Sequence, residues 1–154
     1  MARPTRVDAL GEIFMVTTAT WRRRPLLTQP RIAELVTETL FAHRDAGEFD
    51  LLAWVLMPDH AHFVLQPKDR TLAEVMRRFK SLSWRRCRLQ IGLMERLWQE
   101  GFHDRGVRSE LALNLMIDYV HLNPVQAGLV RDPDDWSWSS FRIMAGDEPR
   151  PTGP

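Results

Sequence analysis

The chain has 154 residues, 44% of them hydrophobic, with a net charge of only +1 and a single cysteine. Such a length suffices for one domain that buries about two-thirds of its unfolded surface. One cysteine excludes an intrachain disulfide framework, and the near-neutral charge excludes an indiscriminately basic nucleic-acid coat.

Residues 1–11 lack periodicity and read as a loose lead-in. Glu12 to Thr20 alternates Ile13, Met15, Thr17 and Ala19 against Phe14, Val16 and Thr18, which predicts the first strand. Trp21-Arg22-Arg23-Arg24-Pro25 is the loop after it. Pro30 in a first turn, a stripe of Ile32, Leu35, Val36, Thr39, Leu40 and His43, and Gly47 beyond it predict a helix. Residues 49–66 predict two strands joined at Pro58-Asp59 into a hairpin.

Thr71-Leu72-Ala73-Glu74 has the form of a capping box, and Leu72, Val75, Met76, Phe79 and Leu82 repeat at helical spacing up to a stop at Gly92. The run from Arg96 to Arg105 reads as a short fourth strand broken at Gly101. Ser109-Glu110 opens a last main helix expected to reach about Leu122, with Pro124 opposing its continuation. Trp136 to Phe141 is expected to pack its aromatics on the core, and residues 146–154, rich in proline and glycine, are expected to be disordered.

The order is therefore β-α-β-β-α-β plus one helix, the split β-α-β pattern of an α+β, ferredoxin-like antiparallel sheet. Residues 1–145 form a single catalytic domain in this reading. Both long helices would cover one sheet face, leaving the other to the last helix. With no signal peptide or long apolar span, a reducing cytoplasmic location is expected.

His60-Ala61-His62 opens the third strand, so alternation turns both histidines to one face and Ala61, Phe63 and Leu65 to the other. Two imidazoles placed this way are a ready divalent-metal site, although an isolated His-x-His pair is as readily two half-exposed polar residues. Tyr119, the only tyrosine, shares a helix face with Asn123, Leu115 and Leu111. Above two leucines a tyrosine is ordinarily packing; beside a His-x-His pair its phenol is a candidate nucleophile toward a phosphodiester.

Charge is unevenly spread. Residues 70–88 hold Arg70, Arg77, Arg78, Lys80, Arg85, Arg86 and Arg88 against Glu74, and Arg22, Arg23, Arg24 and Arg31 form a second cluster. Arginine is the dominant cation, which suits forked phosphate contacts, and Trp21 and Trp84 lie within the clusters as candidate base-stacking platforms. Arg22, Arg23, Arg24, Arg77, Arg78, Lys80, Arg85 and Arg86 are thus candidate DNA contacts, the alternative being a solvated helix face. Cys87, with no base placed beside it, reads as structural.

Leu56-Met57-Pro58-Asp59-His60-Ala61-His62, Tyr119-Val120-His121-Leu122-Asn123-Pro124-Val125-Gln126-Ala127-Gly128-Leu129-Val130 and Trp138-Ser139-Ser140 together resemble the REP-associated tyrosine transposases. These are relatives of the single-tyrosine HUH transposases of bacterial insertion sequences, U being a hydrophobic residue. The likeness runs from the first strand to about Phe141 and includes Trp98-Gln99 and Phe102-His103-Asp104-Arg105. It implies that His60 and His62 bind Mg²⁺ or Mn²⁺, that Asn123 offers a third ligand, and that Tyr119 attacks.

The implied activity is metal-dependent cleavage and transfer of single-stranded DNA beside hairpins through a 5′-phosphotyrosine intermediate. The implied partner is single-stranded or hairpin DNA, met by a monomer or homodimer, with no membrane, small-molecule substrate or organic cofactor. Asp59 replaces a common asparagine and could add a ligand or perturb the metal, and Gln126 replaces a common arginine. A histidine-triad hydrolase would need a third alternating histidine where Val64 stands. A non-catalytic ferredoxin-like DNA- or RNA-binding protein would gain support if Tyr119 were buried away from the histidines. His103 and His121 are left out of the metal set, His121 because it points about 160° from Asn123 on an ideal helix.

Overall fold

Alternation along the first strand, β1 (Ile13–Ala19), divides the molecule into two layers. Phe14, Val16 and Thr18 are buried on one face, while Met15, Thr17 and Ala19 point to the other and remain partly open. The structure, a computed structural model, describes residues 11–144. After β1 come α1 (Pro30–Asp45), β2 (Phe49–Leu56), β3 (His60–Pro67), α2 (Leu72–Ile91), β4 (His103–Val107), α3 (Glu110–Gln126) and the one-turn α4 (Phe141–Met144). The sheet order is β2-β3-β1-β4 with every neighbouring pair antiparallel, as the ferredoxin-like reading requires.

The larger core lies behind the sheet, where Phe14, Val16, Phe63 and Leu65 meet Ile32 and Leu35 of α1 and Met76 and Phe79 of α2. Phe63 and Phe79 meet edge to face at 5.2 Å, a geometry favoured by the ring quadrupoles. A smaller core forms on the front, where Ala53, Val55, Met57 and Val64 receive Val120, Leu113, Met116 and Ile117 of α3. The helix ends obey their signals. Thr71 Oγ1 accepts from the Glu74 amide at 3.2 Å, Gly92 takes the left-handed φ of 68° that ends α2, and Ser109 Oγ accepts from the Ala112 amide at 3.0 Å.

Two expected boundaries are corrected. α3 does not stop near Leu122 but runs through Pro124 to Gln126. A proline one turn from a helix end removes one amide donor where few bonds remain to lose, and the amides of Ala127 and Leu129 still donate to the Asn123 and Pro124 carbonyls at 3.0 Å. The fourth strand begins at His103, not Arg96, because Gly101 adopts a φ of +75° and resets the chain. Before that break the segment already follows β1, with the Trp21 amide donating to the Leu97 carbonyl and the Gln99 amide to the Ala19 carbonyl, both at 2.9 Å.

The 136–141 segment packs as expected and also covers the outer edge of β2. Leu56 N–H donates to the Trp138 carbonyl and Ser140 N–H to the Trp54 carbonyl, occupying groups that an open edge would expose. Trp136 Nε1 donates to the Leu56 carbonyl at 2.9 Å. The expectations for residues 1–10 and 146–154 fall outside the described residues. No helix among the described residues is long and apolar enough to cross a membrane.

Candidate active site

The β1–β3 register sets Ala19 opposite His60 and Thr17 opposite His62 on the front face. The turn that delivers His60 is held from two sides: the Thr20 amide and hydroxyl both donate to the Asp59 carbonyl at 3.0 Å, and the Leu27 amide donates to the Pro58 carbonyl at 3.1 Å. Met57 N–H closes the hairpin on the His60 carbonyl at 2.8 Å.

Each imidazole is then oriented by an oxygen at Nδ1. Asp59 Oδ1 lies 2.8 Å from His60 Nδ1, and Thr17 Oγ1 lies 2.8 Å from His62 Nδ1. With these oxygens accepting, the protons sit on Nδ1 and the lone pairs on Nε2, the arrangement of a metal-ligating histidine backed by a hydrogen-bond acceptor. Asp59 is therefore a partner of His60, and its other oxygen lies 3.4 Å from Arg23 Nε. The two rings meet edge to face with centroids 4.8 Å apart.

His62 is only 4% exposed, and its Nε2 is buried without a hydrogen-bond partner. Burial first, then the charges of His60 and Arg23, bring its pKa down to about 4, so the ring is neutral at pH 7. A neutral ring with an orphaned buried lone pair fits a cation ligand, since an unpaired buried polar atom otherwise carries a desolvation cost. Among the described residues no group of three or more His, Cys, Asp and Glu side chains forms a metal cluster. Further ligands would have to be amide, water or phosphate oxygens, donors that suit Mg²⁺ and Mn²⁺.

α3 brings the phenol to this pair. The Tyr119 ring stands edge to face against His62 at 5.5 Å and is 41% exposed, so it is both adjacent to the imidazole and reachable from solvent. Asn123, one turn on, is largely buried. The next residue after the tyrosine, Val120, fills the front core, and His121 is buried with Nε2 2.8 Å from Ser140 Oγ. Ser140 Oγ in turn accepts from the Trp54 amide at 2.9 Å. His121 thus ties the tyrosine helix to the β2 edge through Ser140. His103 lies opposite Thr17 on β4, exposed on the front face.

The eight candidate DNA-contact cations separate into two layers. Arg23 reaches the site through Asp59; Arg22 lies over the Trp21 ring, and Arg24 pairs with Glu95. Arg22 and Arg23 have φ of 55° and 56°, a left-handed conformation uncommon for side-chain-bearing residues. Arg77, Arg78, Lys80, Arg85 and Arg86 lie on α2, behind the sheet. Arg78 pairs with Glu48 at 2.8 Å, and Arg86 donates to Thr39 Oγ1 at 3.3 Å. Lys80 Nζ donates to the Gln99 carbonyl and, at 2.6 Å, to the Gly101 carbonyl, clamping the segment before β4. Burial foremost lowers its pKa.

Arg77 and Arg85 have no ion-pair partner among the described residues. Trp84 is half-buried, with Nε1 donating to the Glu95 carbonyl at 3.0 Å. Cys87 is fully buried, and burial pushes its thiol up to about 11 against the opposing pull of Arg31, so it is structural as expected. Thr17 is the site residue the sequence did not reveal, and Ser140, singled out there only as part of Trp138-Ser139-Ser140, takes its role from the contact with His121. Alternation put Thr17 on the histidine face, but only strand register pairs it with His62.

Residues 13–123 match the family described as "Transposase IS200 like". The REP-associated tyrosine transposase of Escherichia coli (strain K12) is 26% identical over 133 residues, spanning 85% of this chain and 76% of that protein. A provisionally named REP-associated tyrosine transposase of Haemophilus influenzae is 26% identical over 128 residues, with 74% and 73% covered. A solved REP-associated tyrosine transposase bound to a REP hairpin superposes with a TM-score of 0.77 at 24% identity, covering 98% of this chain and 89% of that one.

Proposed function

Since the chain belongs to the IS200-like transposase family, we propose that it is a metal-dependent enzyme that nicks and rejoins single-stranded DNA beside hairpins, with Tyr119 as nucleophile. The observation carrying this reading is the edge-to-face contact of Tyr119 with His62, whose buried Nε2 has no protein partner. Residues 1–145 are read as the one catalytic domain.

His60 and His62 would hold Mg²⁺ or Mn²⁺ through Nε2, with Asn123 as a third ligand. When bound, the ion supplies positive charge to the oxygens of the scissile phosphate. Asp59 and Thr17 keep the imidazoles in the tautomer that leaves Nε2 free. As it attacks, Tyr119 gives its phenolic proton to water. Its oxygen then bonds to the 5′ phosphorus as the bond to the 3′ oxygen breaks, and that oxygen takes a proton from water so that the departing strand leaves as a 3′-hydroxyl. The phosphotyrosine conserves the ester bond for rejoining, which attack by water would not.

The substrate is a short imperfect palindrome folded as a hairpin, by analogy with the REP hairpin held by the structural relative. Arg23 reaches the site through Asp59, with Arg22 and Arg24 beside it in the same loop, while Arg77, Arg78, Lys80, Arg85 and Arg86 would form a second contact region behind the sheet, Arg77 and Arg85 being those with neither an ion-pair nor a hydrogen-bond partner among the described residues.

The test uses labelled hairpins from DNA flanking the coding sequence, incubated with wild-type or Tyr119→Phe protein in Mn²⁺ or EDTA and run on a denaturing gel. A protein–DNA adduct requiring both the metal and Tyr119 is expected. Cleavage surviving in the Phe variant would replace the tyrosine by activated water, and tight binding without cleavage would leave a non-catalytic hairpin-binding protein.

A further inference from the structure

Away from the histidines, a groove of about 400 Å³ runs between α2 and residues 96–102, a size within the range of small-ligand sites. Trp84 and Phe102 supply half-buried aromatic surface, and Arg77 and Arg96 stand at the rim, Arg77 without an ion-pair partner among the described residues and Arg96 lying over Trp21 and 3.7 Å from Glu100, the acidic lining residue. Lys80 lies beneath, held by the Gln99 and Gly101 carbonyls. Aromatic surface beside the unpaired charge of Arg77 complements a base with its phosphate, not an anion or an apolar group alone.

The segment that walls the groove is also tied by hydrogen bonds to the strand and loop beside the proposed active site. The Gln99 amide donates to the Ala19 carbonyl, Ala19 faces His60 across the sheet, and the Arg22 amide donates to Gln99 Oε1 at 3.3 Å. One strand spacing on each side of β1, about 10 Å in all, therefore separates the histidines from the segment that walls the groove. A DNA strand passing from Tyr119 over Arg23 and Arg22 would round this sheet edge to reach the groove behind it.

We propose that this groove is a base-binding subsite, taking one unpaired nucleotide of the strand that Tyr119 acts on, with its base against Trp84 and Phe102 and its phosphate on Arg77 and Arg96. The proposal rests on the DNA-processing reading above but assigns recognition to a place distinct from the reacting atoms.

The experiment compares a labelled ten-nucleotide oligothymidylate with an abasic strand of the same length by fluorescence anisotropy at low salt. Stacking of one base is worth about 1–3 kcal/mol, so wild type is expected to prefer the base-bearing strand roughly five- to 150-fold. Phe102→Ala should lower its affinity to that of the abasic strand and leave the abasic strand's own affinity in place. Ala73→Trp, at an exposed lining position of α2, should do the same by filling the groove without removing a packed side chain. Equal binding of both strands by wild type, or a preference that survives Ala73→Trp, overturns the subsite while leaving DNA binding intact. If wild type binds neither strand, the subsite is overturned, while the DNA-processing reading stands or falls separately on the hairpin adduct assay.

Discussion

Thr17 Oγ1 lies 2.8 Å from His62 Nδ1, joining a residue of β1 to the most buried ring of the site. The contact occupies Nδ1 of the imidazole and leaves the buried Nε2 as its unpartnered nitrogen. Thr17→Val preserves shape and removes the acceptor, and the ring is then free to change tautomer. Loss of such a supporting bond typically costs 10- to 100-fold in metal affinity. Titration calorimetry with Mn²⁺ should show that loss, with folding stability reduced by only about 1 kcal/mol. Unchanged affinity would show that Thr17 does not orient the ligand.

His60 is the more accessible ring, and its side chain contributes to neither core cluster. His60→Ala should therefore abolish metal-dependent adduct formation while the circular dichroism spectrum and melting temperature stay near wild type. Adduct formation at the wild-type rate would remove His60 from the metal site.

The cations of α2 should separate by their partners. Arg77→Glu and Arg85→Glu, at positions without ion pairs, should weaken single-strand binding and reduce the slope of log K against log salt by about 0.7 for each phosphate that is no longer neutralised. Lys80→Met should act on the fold instead. It leaves two carbonyls without their charged donor, a loss of about 1–3 kcal/mol by chemical denaturation. An Arg77→Glu variant with wild-type salt dependence would make that side chain a solvated surface group.

Cys87 gives a pH signature that does not involve the site. Its folded pKa is raised from 9.0 to about 11, chiefly by burial. Below 9.0 the thiol is protonated in both states. Between 9.0 and about 11 the unfolded chain releases the proton and the folded chain keeps it, so stability falls as pH rises. At about 1.4 kcal/mol per unit, urea denaturation should show a loss approaching 3 kcal/mol over that window. Cys87→Ala should flatten this slope, and an equal slope in the variant would assign it to other groups.

What the sequence determined by itself was periodic or local. Period-two alternation placed His60 and His62 opposite Phe63 and Leu65, helical spacing placed Tyr119 and Asn123 on one stripe, and the element order implied a ferredoxin-like sheet with α3 on the open face. Such patterns are legible because side-chain direction repeats with the backbone. The continuation of α3 past Pro124 and the late start of β4 were less legible, since they depend on how few bonds a proline removes near a helix end and on the left-handed turn at Gly101.

Tertiary structure alone decided which residues meet. Strand register paired Thr17 with His62, the hairpin's docking on β1 brought Arg23 to Asp59, and packing of α2 behind the sheet carried its arginines away from the tyrosine. It also tied Lys80, a candidate phosphate contact, to two carbonyls of the segment before β4. These pairings join residues 19 to 45 positions apart, and no local preference encodes them. They follow from which faces must be buried together when the sheet closes its two cores.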